Sequence, residues 1–192
     1  MGGLLGGVLN RALISDEALG EQLVRASGQG ELQSVEQLLE QGAPVNYETV
    51  TGLTPLSIAA VFGEVTVMDA LIHQGGAALD RDSNGITALC MASRYGMASA
   101  MQVLISAGAE IDFETGRGST ALIEAVLYSH LEVIECLVEA QCDLDLETTT
   151  GKLQTCIEHP CLFARALRAH RTNQGSSGWP ARSDHHPAGM WG

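Results

Sequence analysis

Basic residues are scarce in this 192-residue chain, and aromatic residues are scarcer still. The sequence has 10 Lys and Arg against 23 Asp and Glu, which gives a formal charge of -13. Phosphate binding needs clustered Lys and Arg, so the body of the protein is not expected to bind nucleic acid. Aromatic residues make up only 4% of the chain, so the 45% of hydrophobic residues must build a core from Leu, Val, Ile, Ala and Met.

Other missing features disfavour further classes of protein. No apolar run approaches membrane-spanning length, and the amino-terminal residues lack the basic start of a secretory signal. Gly2 invites N-myristoylation, but Gly6 stands where that motif needs a hydroxyl residue, which favours a flexible leader. The spacing Cys156-x-x-His159-x-Cys161 matches no standard zinc module, so no metal is expected. No nucleophile elbow, P-loop or zinc-protease motif occurs, and we therefore expect neither enzymatic activity nor a cofactor.

The five cysteines form no disulfide-like spacing pattern, and their number is odd. In a chain that is not small, this usage indicates a reducing compartment. We therefore expect a cytoplasmic protein that is also compatible with the nucleus.

What the chain does have is a period of 33 residues. Glycine, leucine and alanine each recur at this spacing in four places. The recurring positions are Gly52, Gly85, Gly118 and Gly151, then Leu23, Leu56, Leu89 and Leu122, then Ala26, Ala59, Ala92 and Ala125. A fixed period of that length predicts a solenoid of small supersecondary units.

Each unit has the pattern of two short helices placed back to back. In the unit that starts at Thr51, Thr54 is a good N-cap residue and Pro55 a good first helical residue. Gly63 is expected to end the first helix and Gly75 the second. Neither helix could bury its apolar stripe alone, so neighbouring units must stack.

These residues carry a family resemblance. The pattern Gly52-x-Thr54-Pro55-Leu56-x-x-Ala59-Ala60-x-x-Gly63, followed by Leu71-Ile72-x-x-Gly75, resembles an ankyrin repeat. The resemblance implies an all-α repeat solenoid of stacked helix-turn-helix units with β-hairpin fingers. It predicts a leader followed by four repeats, with boundaries at about 1–16, 17–50, 51–83, 84–117 and 118–150.

Two irregularities interrupt the pattern. The segment from Gly75 to Asp80 is one residue longer than its counterpart from Gly108 to Asp112, which predicts a bulge in that finger. In the last unit, helix-ending glycines are replaced by other residues at two positions. These are Ser129 and Gln141.

The repeat pattern fails soon after residue 151. Residues 151–171 are predicted to be a degenerate repeat or an improvised cap helix, and residues 172–192 a disordered tail. Two interpretations stay open: the helix docks as a cap, or the chain is a shortened isoform whose fifth repeat was replaced by out-of-frame sequence. The abrupt change of composition favours the second.

In the ankyrin family, partners are usually held on the concave face by the finger tips and the exposed side of the first helix. The finger tips of this chain place an acid, often preceded by an apolar residue, at similar positions of each repeat. The resulting candidates are Tyr47, Glu48, Asp82, Phe113, Glu114 and Glu147. Stacking would align the acids into an acidic edge that attracts a basic partner. The alternative is that these acids only solvate the edge and prevent aggregation.

A second candidate surface comes from the residues just before each first helix ends. It is rich in aromatic residues, and its candidates are Phe62, Arg94, Tyr95, Leu127 and Tyr128. Tyr and Phe beside acids are typical hot spots of protein interfaces. Equally open is the alternative that these side chains pack on the next repeat.

Asn46 lies in a finger context similar to those in which ankyrin asparagines are β-hydroxylated. A simple turn-forming role is favoured, because other fingers carry Asp at this place.

The sequence thus predicts a monomeric protein-interaction module or scaffold that binds a protein partner, preferably a basic one, without a membrane. The alternative is a substrate-recruiting or regulatory adaptor of a ubiquitin-ligase or kinase complex, although no separate docking box is legible after the repeats. The basic tail leaves regulation linked to nucleic acid as a third possibility.

Overall fold

The computed structural model describes residues 15–80 and 86–143, and these ranges contain eight α-helices and no strand. The helices are α1 Asp16–Gln29, α2 Leu32–Glu40, α3 Pro55–Phe62, α4 Val65–His73, α5 Ala88–Tyr95, α6 Ala98–Ser106, α7 Ala121–Leu127 and α8 Leu131–Glu139. The predictions for residues 1–14 of the leader, for the degenerate fifth unit and for the tail concern residues outside the described ranges, whereas Asp16, the last residue of the predicted leader, already begins α1.

The helices form four pairs that stack into two layers. Each odd-numbered helix packs on the next odd-numbered helix, and each even-numbered helix on the next even-numbered one. The repeated leucine of the first helices is almost fully buried, at Leu23, Leu56, Leu89 and Leu122. This arrangement confirms the predicted all-α repeat solenoid.

The starts of α3, α5 and α7 follow directly from a threonine. The side chains of Thr54, Thr87 and Thr120 each accept a hydrogen bond from the backbone N–H three residues later, at 3.1 to 3.3 Å. Thr54 forms a full capping box, because the Ser57 hydroxyl in turn accepts a hydrogen bond from the Thr54 N–H. Each threonine satisfies an N–H group that the helix leaves unpaired.

The ends of the helices need a left-handed backbone residue. Gly63 and Gly96 provide it after α3 and α5, with φ of 72° and 74°. Ser129 and Gln141 take the same conformation, both at φ 61°, where the sequence has lost the glycine. A side chain with a Cβ atom is strained there, so two turns of the last unit carry a conformational cost.

The extra residue near position 75 lies in a helix end. The Ala77 N–H donates to the Leu71 carbonyl, six residues back, whereas the equivalent bond from Ala43 to Leu38 spans five. The turn that ends α4 therefore absorbs the insertion, and Gly76, not the glycine before it, adopts positive φ. The expectation of a bulge in the finger was wrong, because a helix end can widen by one residue without shifting its neighbours.

The finger loops close as single tight turns. In the first, the Thr49 N–H donates to the Leu53 carbonyl at 3.0 Å and the Gly52 N–H donates to the Thr49 carbonyl at 2.8 Å. Thr115, Gly118 and Ser119 repeat the arrangement one finger further on. So few hydrogen bonds do not make a ladder, and the predicted β-hairpins are not present among the described residues.

The first helix pair presents a polar end face. Three positions that are apolar in the second and third repeats, and mostly buried there, are here Gln22, Arg25 and Ser34. Their counterparts one repeat later are Pro55, Ile58 and Val67. Terminal repeats with a polar outer face are what a stacked array needs for solubility. The pair α1 and α2 therefore serves as the amino-terminal cap of the described array.

Candidate functional site

Most of the exposed large apolar side chains of the described residues cluster at one end of the first helices. Phe62, Tyr95 and Tyr128 occupy one repeat position and are 59%, 49% and 53% exposed, and we call these three residues the aromatic row. Leu127 lies beside the row and is 48% exposed. Among the described residues, the one remaining exposed large apolar side chain is that of Val50, in a finger turn. The row is thus a continuous candidate for a contact surface.

The rings of Phe62 and Tyr128 rest on the preceding repeat. A Cβ atom at Gly28 would lie 3.5 Å from the Phe62 ring, so that ring covers the glycine. The Tyr128 ring has the Arg94 guanidinium 5.9 Å from its centroid and stacks with His130 at 6.4 Å. Part of the Phe62 ring and of the Tyr128 ring thus packs on neighbouring residues while about half of each side chain stays exposed, and the partner-binding role of these aromatics stays a prediction.

Arg94 is held by an ion pair that connects the third and fourth repeats. Its Nε and Nη2 atoms donate to the two carboxylate oxygens of Glu124 at 3.0 and 3.2 Å. The Glu124 side chain is only 8% exposed, whereas that of Arg94 is 26% exposed. The hydrogen bonds to Glu124, only partly opposed by burial, raise the pKa of Arg94. Arg94, whose role as a partner contact stays a prediction, thus stabilises the stack of repeats.

Glu124 was not found by sequence reasoning, although a signal existed. It lies 30 residues after Arg94, which is close to one repeat period and places both side chains on adjacent first helices. The pattern that could have predicted the pair is an acid among apolar residues of a helix, about one repeat period after an arginine.

His130 connects the same two repeats from the backbone side. Its Nε2 atom lies 2.9 Å from the Arg94 carbonyl oxygen, and a Cβ atom on Gly96 would approach the Nδ1 atom to 2.5 Å. His130 thus has a structural role at the start of α8.

The finger residue Tyr47 faces the first helix. A Cβ atom at Gly20 would overlap the Tyr47 ring, so the ring packs directly on α1. Desolvation, followed by the charges of Glu21 and Glu17, raises the pKa of the Tyr47 phenol. Tyr47 therefore has less free surface than its finger position suggested.

The predicted acidic edge is described only in part. Glu48, Phe113 and Glu114 are half-buried, and both acids make interactions within the protein. Asp82 and Glu147 lie outside the described residues, so their alignment with the other two stays a prediction. Further exposed acids lie on the second helices, on the opposite layer from the aromatic row. They are Glu40, Asp69, Glu132 and Glu139.

Asn46 has a structural partner in the next finger. Its Oδ1 atom accepts a hydrogen bond from the Ala78 N–H at 2.9 Å. Asp80 and Asp112 repeat this contact, accepting from the backbone N–H groups of Glu110 and Asp143 at 3.3 and 2.9 Å. The three side chains form a ladder between successive fingers, which supports the turn-related role of Asn46. Hydroxylation of Asn46 stays a prediction.

The described residues offer little reactive chemistry. Among them, no group of three or more His, Cys, Asp or Glu side chains could hold a metal ion. Cys90 and Cys142 are buried, and Cys136 is half-buried. Burial raises the pKa of the Cys90 thiol to about 11, which keeps it protonated. The candidate metal-binding residues of the tail lie outside the described part.

No helix of the described segments is long and apolar enough to cross a membrane. A family model for ankyrin repeats, in three copies, matches residues 23–115 and again residues 79–148. No curated protein matches the chain significantly.

Proposed function

The chain belongs to the ankyrin repeat family, and on this basis we propose that it binds a partner protein through its concave face. Ankyrin repeats are generally protein–protein interaction modules. In the proposed role the first-helix ends and the finger tips form the contact surface, and the chain serves as a scaffold without catalytic chemistry. The particular partner must be selected by surface residues, because the fold alone does not determine it.

The aromatic row is the observation that carries the proposal. Four of the five exposed large apolar side chains in the described ranges lie at this one end of the first helices. Tyr and Phe bury much apolar area on binding and lose little side-chain entropy, which makes them frequent hot spots. Because neighbouring residues hold the Phe62 and Tyr128 rings from one side, these rings need little further ordering when a partner binds.

Charge favours a basic partner. Residues 1–151 contain 21 acids and five arginines, a formal charge of about -16, and one of those arginines is neutralised by Glu124. A field of one sign accelerates the approach of an oppositely charged protein. Glu48 and Glu114, with Asp82 and Glu147, would contribute to it along the finger edge.

The test compares the partner proteins captured by the full-length wild type with those captured by two sets of variants. Phe62→Ala, Tyr95→Ala and Tyr128→Ala together should abolish capture, while Thr66→Ala, which shortens an exposed side chain on α4 in the opposite layer, should not. Charge reversal at Glu48, Glu114 and Glu147 to Lys should weaken capture most at low salt. A partner retained equally by the wild type and the triple ring variant would refute the proposed surface. Retention by the charge-reversal variant would refute the acidic edge alone.

We further propose that Asn46 is a site of asparaginyl hydroxylation. The Asn46 side chain lies at a finger position, and among the described residues its Oδ1 atom accepts a hydrogen bond from the Ala78 N–H. Protein purified from cells should gain the mass of one oxygen atom, and the Asn46→Asp variant should not. An unmodified intact mass in the wild type would contradict the proposal.

A further inference from the structure

The spacing of the aromatic row follows from the stacking of the helices that carry it. Its three members occupy the same repeat position at the carboxyl ends of α3, α5 and α7, with Tyr128 directly after α7, and these helices pack on one another in order. Packed helices have axes about 8–10 Å apart, so consecutive rings lie at roughly that interval along the stack. A partner segment that contacts all three rings must present one side chain per interval on a single face.

An extended strand does not meet this requirement. It rises about 3.3 Å per residue, so three residues cover the interval, but side chains three apart lie on opposite faces. An α-helix returns to the same face every seven residues, after about 10.5 Å, which lies just beyond the interval and makes a helix the nearest rival occupant. A polyproline II helix rises about 3.1 Å per residue and repeats every three residues, so its turn of about 9.3 Å falls inside the interval.

The chemistry of the row agrees with this spacing. Proline-rich segments dock on grooves lined by aromatic rings, because the polyproline II conformation is already formed before binding. The rings of Phe62 and Tyr128 are each supported from one side, by Gly28 and by Arg94 with His130, which leaves part of each ring exposed. The negative charge of the repeats favours basic side chains at the other positions of the segment.

We propose that the aromatic row binds a cationic, proline-rich segment in the polyproline II conformation, with one turn of the segment on each ring. This inference rests on the proposed function, since it specifies the class of partner for the same surface. It assigns Phe62, Tyr95 and Tyr128 as the residues that determine specificity for proline.

The test measures binding of synthetic peptides to the full-length chain by fluorescence anisotropy. The probe is a labelled peptide of Pro-Pro-Arg triplets long enough to cover three rings. One control replaces both prolines by glycine and keeps the charge. A second control is an amphipathic α-helical peptide of equal charge with leucine at every seventh position.

We expect the proline peptide to bind, and each substitution Phe62→Ala, Tyr95→Ala or Tyr128→Ala to weaken it about tenfold, the usual loss at a hot spot. Thr66→Ala, at an exposed position of α4 away from the row, should bind like the wild type. Circular dichroism and urea midpoints check that each variant remains folded, so a loss of binding is not a loss of structure.

Three results would overturn the inference: equal affinity for the glycine peptide, no effect of the ring substitutions, or tighter ring-dependent binding of the helical peptide. The last would replace the occupant with a helix and leave the surface in place. None of them would refute the proposed function, which fails only if the triple ring variant still captures the cellular partner.

Discussion

Removing the Arg94 guanidinium should destabilise the array much more than removing the charge of its partner. In Arg94→Met, the Glu124 carboxylate loses both of its hydrogen bonds while its side chain is only 8% exposed. Breaking a fully buried pair costs about 3–5 kcal/mol, and because Arg94 is 26% exposed we expect about 2–3 kcal/mol. In Glu124→Gln the arginine still reaches water and one amide oxygen, so the cost should be about 1 kcal/mol.

The free energies of unfolding can be measured by urea denaturation of the full-length chain, followed by far-UV circular dichroism. Arg25→Met is the matched control, because Arg25 lies exposed on the polar end face, and it should change stability by less than about 0.5 kcal/mol. The double variant Arg94→Met/Glu124→Gln should cost less than the two single variants together. The reasoning fails if Arg94→Met costs no more than Arg25→Met, since the carboxylate would then not depend on its partner.

Three further outcomes follow from other parts of the structure. Ser129→Gly should raise the urea midpoint by an amount equivalent to about 0.5–1 kcal/mol, because it removes the strain of a side chain at φ 61°. The greater unfolded-state entropy of glycine offsets part of this gain. An unchanged or lower midpoint would contradict the prediction. Arg25→Ile with Ser34→Val gives the end face the apolar residues of an internal repeat and should cause self-association in sedimentation velocity, whereas a wild-type profile would exclude a capping role. In the folded protein Cys136 should be alkylated faster than Cys90, whose buried thiol has a pKa of about 11, as peptide mass mapping of a time course would reveal; equal rates would refute it.

Features that depend on local backbone chemistry were predictable from the sequence. Thr54 and Pro55 mark the start of α3, and Gly63 marks its end, because capping and positive φ restrict which residues fit. The extra glycine near position 75 was misassigned to the finger because sequence spacing does not distinguish a wider helix end from a longer loop. Only the hydrogen bond from Ala77 to Leu71 separates the two.

Contacts between repeats were harder to predict, because they depend on how far one unit is displaced along the next. Asn46 and Ala78 are 32 residues apart, whereas Asp80 and Glu110 are 30 apart, so the same ladder does not follow one fixed offset. The period identifies equivalent positions, but side chains reach their neighbours at offsets that only the packed geometry determines. The aromatic row was found because its members share one position within the repeat. Glu124 was missed because its partner, Arg94, occupies a different position within the repeat.

The support beneath the aromatic row differs along its length, and this difference connects stability with recognition. Phe62 rests on Gly28, which has no side chain to lose, whereas Tyr128 rests on Arg94, whose position depends on Glu124. A substitution at the ion pair should therefore disturb the third and fourth repeats together with the Tyr128 end of the row, while the Phe62 end keeps its geometry. Because each repeat contacts only its neighbours, such damage stays local in a stacked array. Binding at the two ends of the row should consequently respond differently to the same loss of stability.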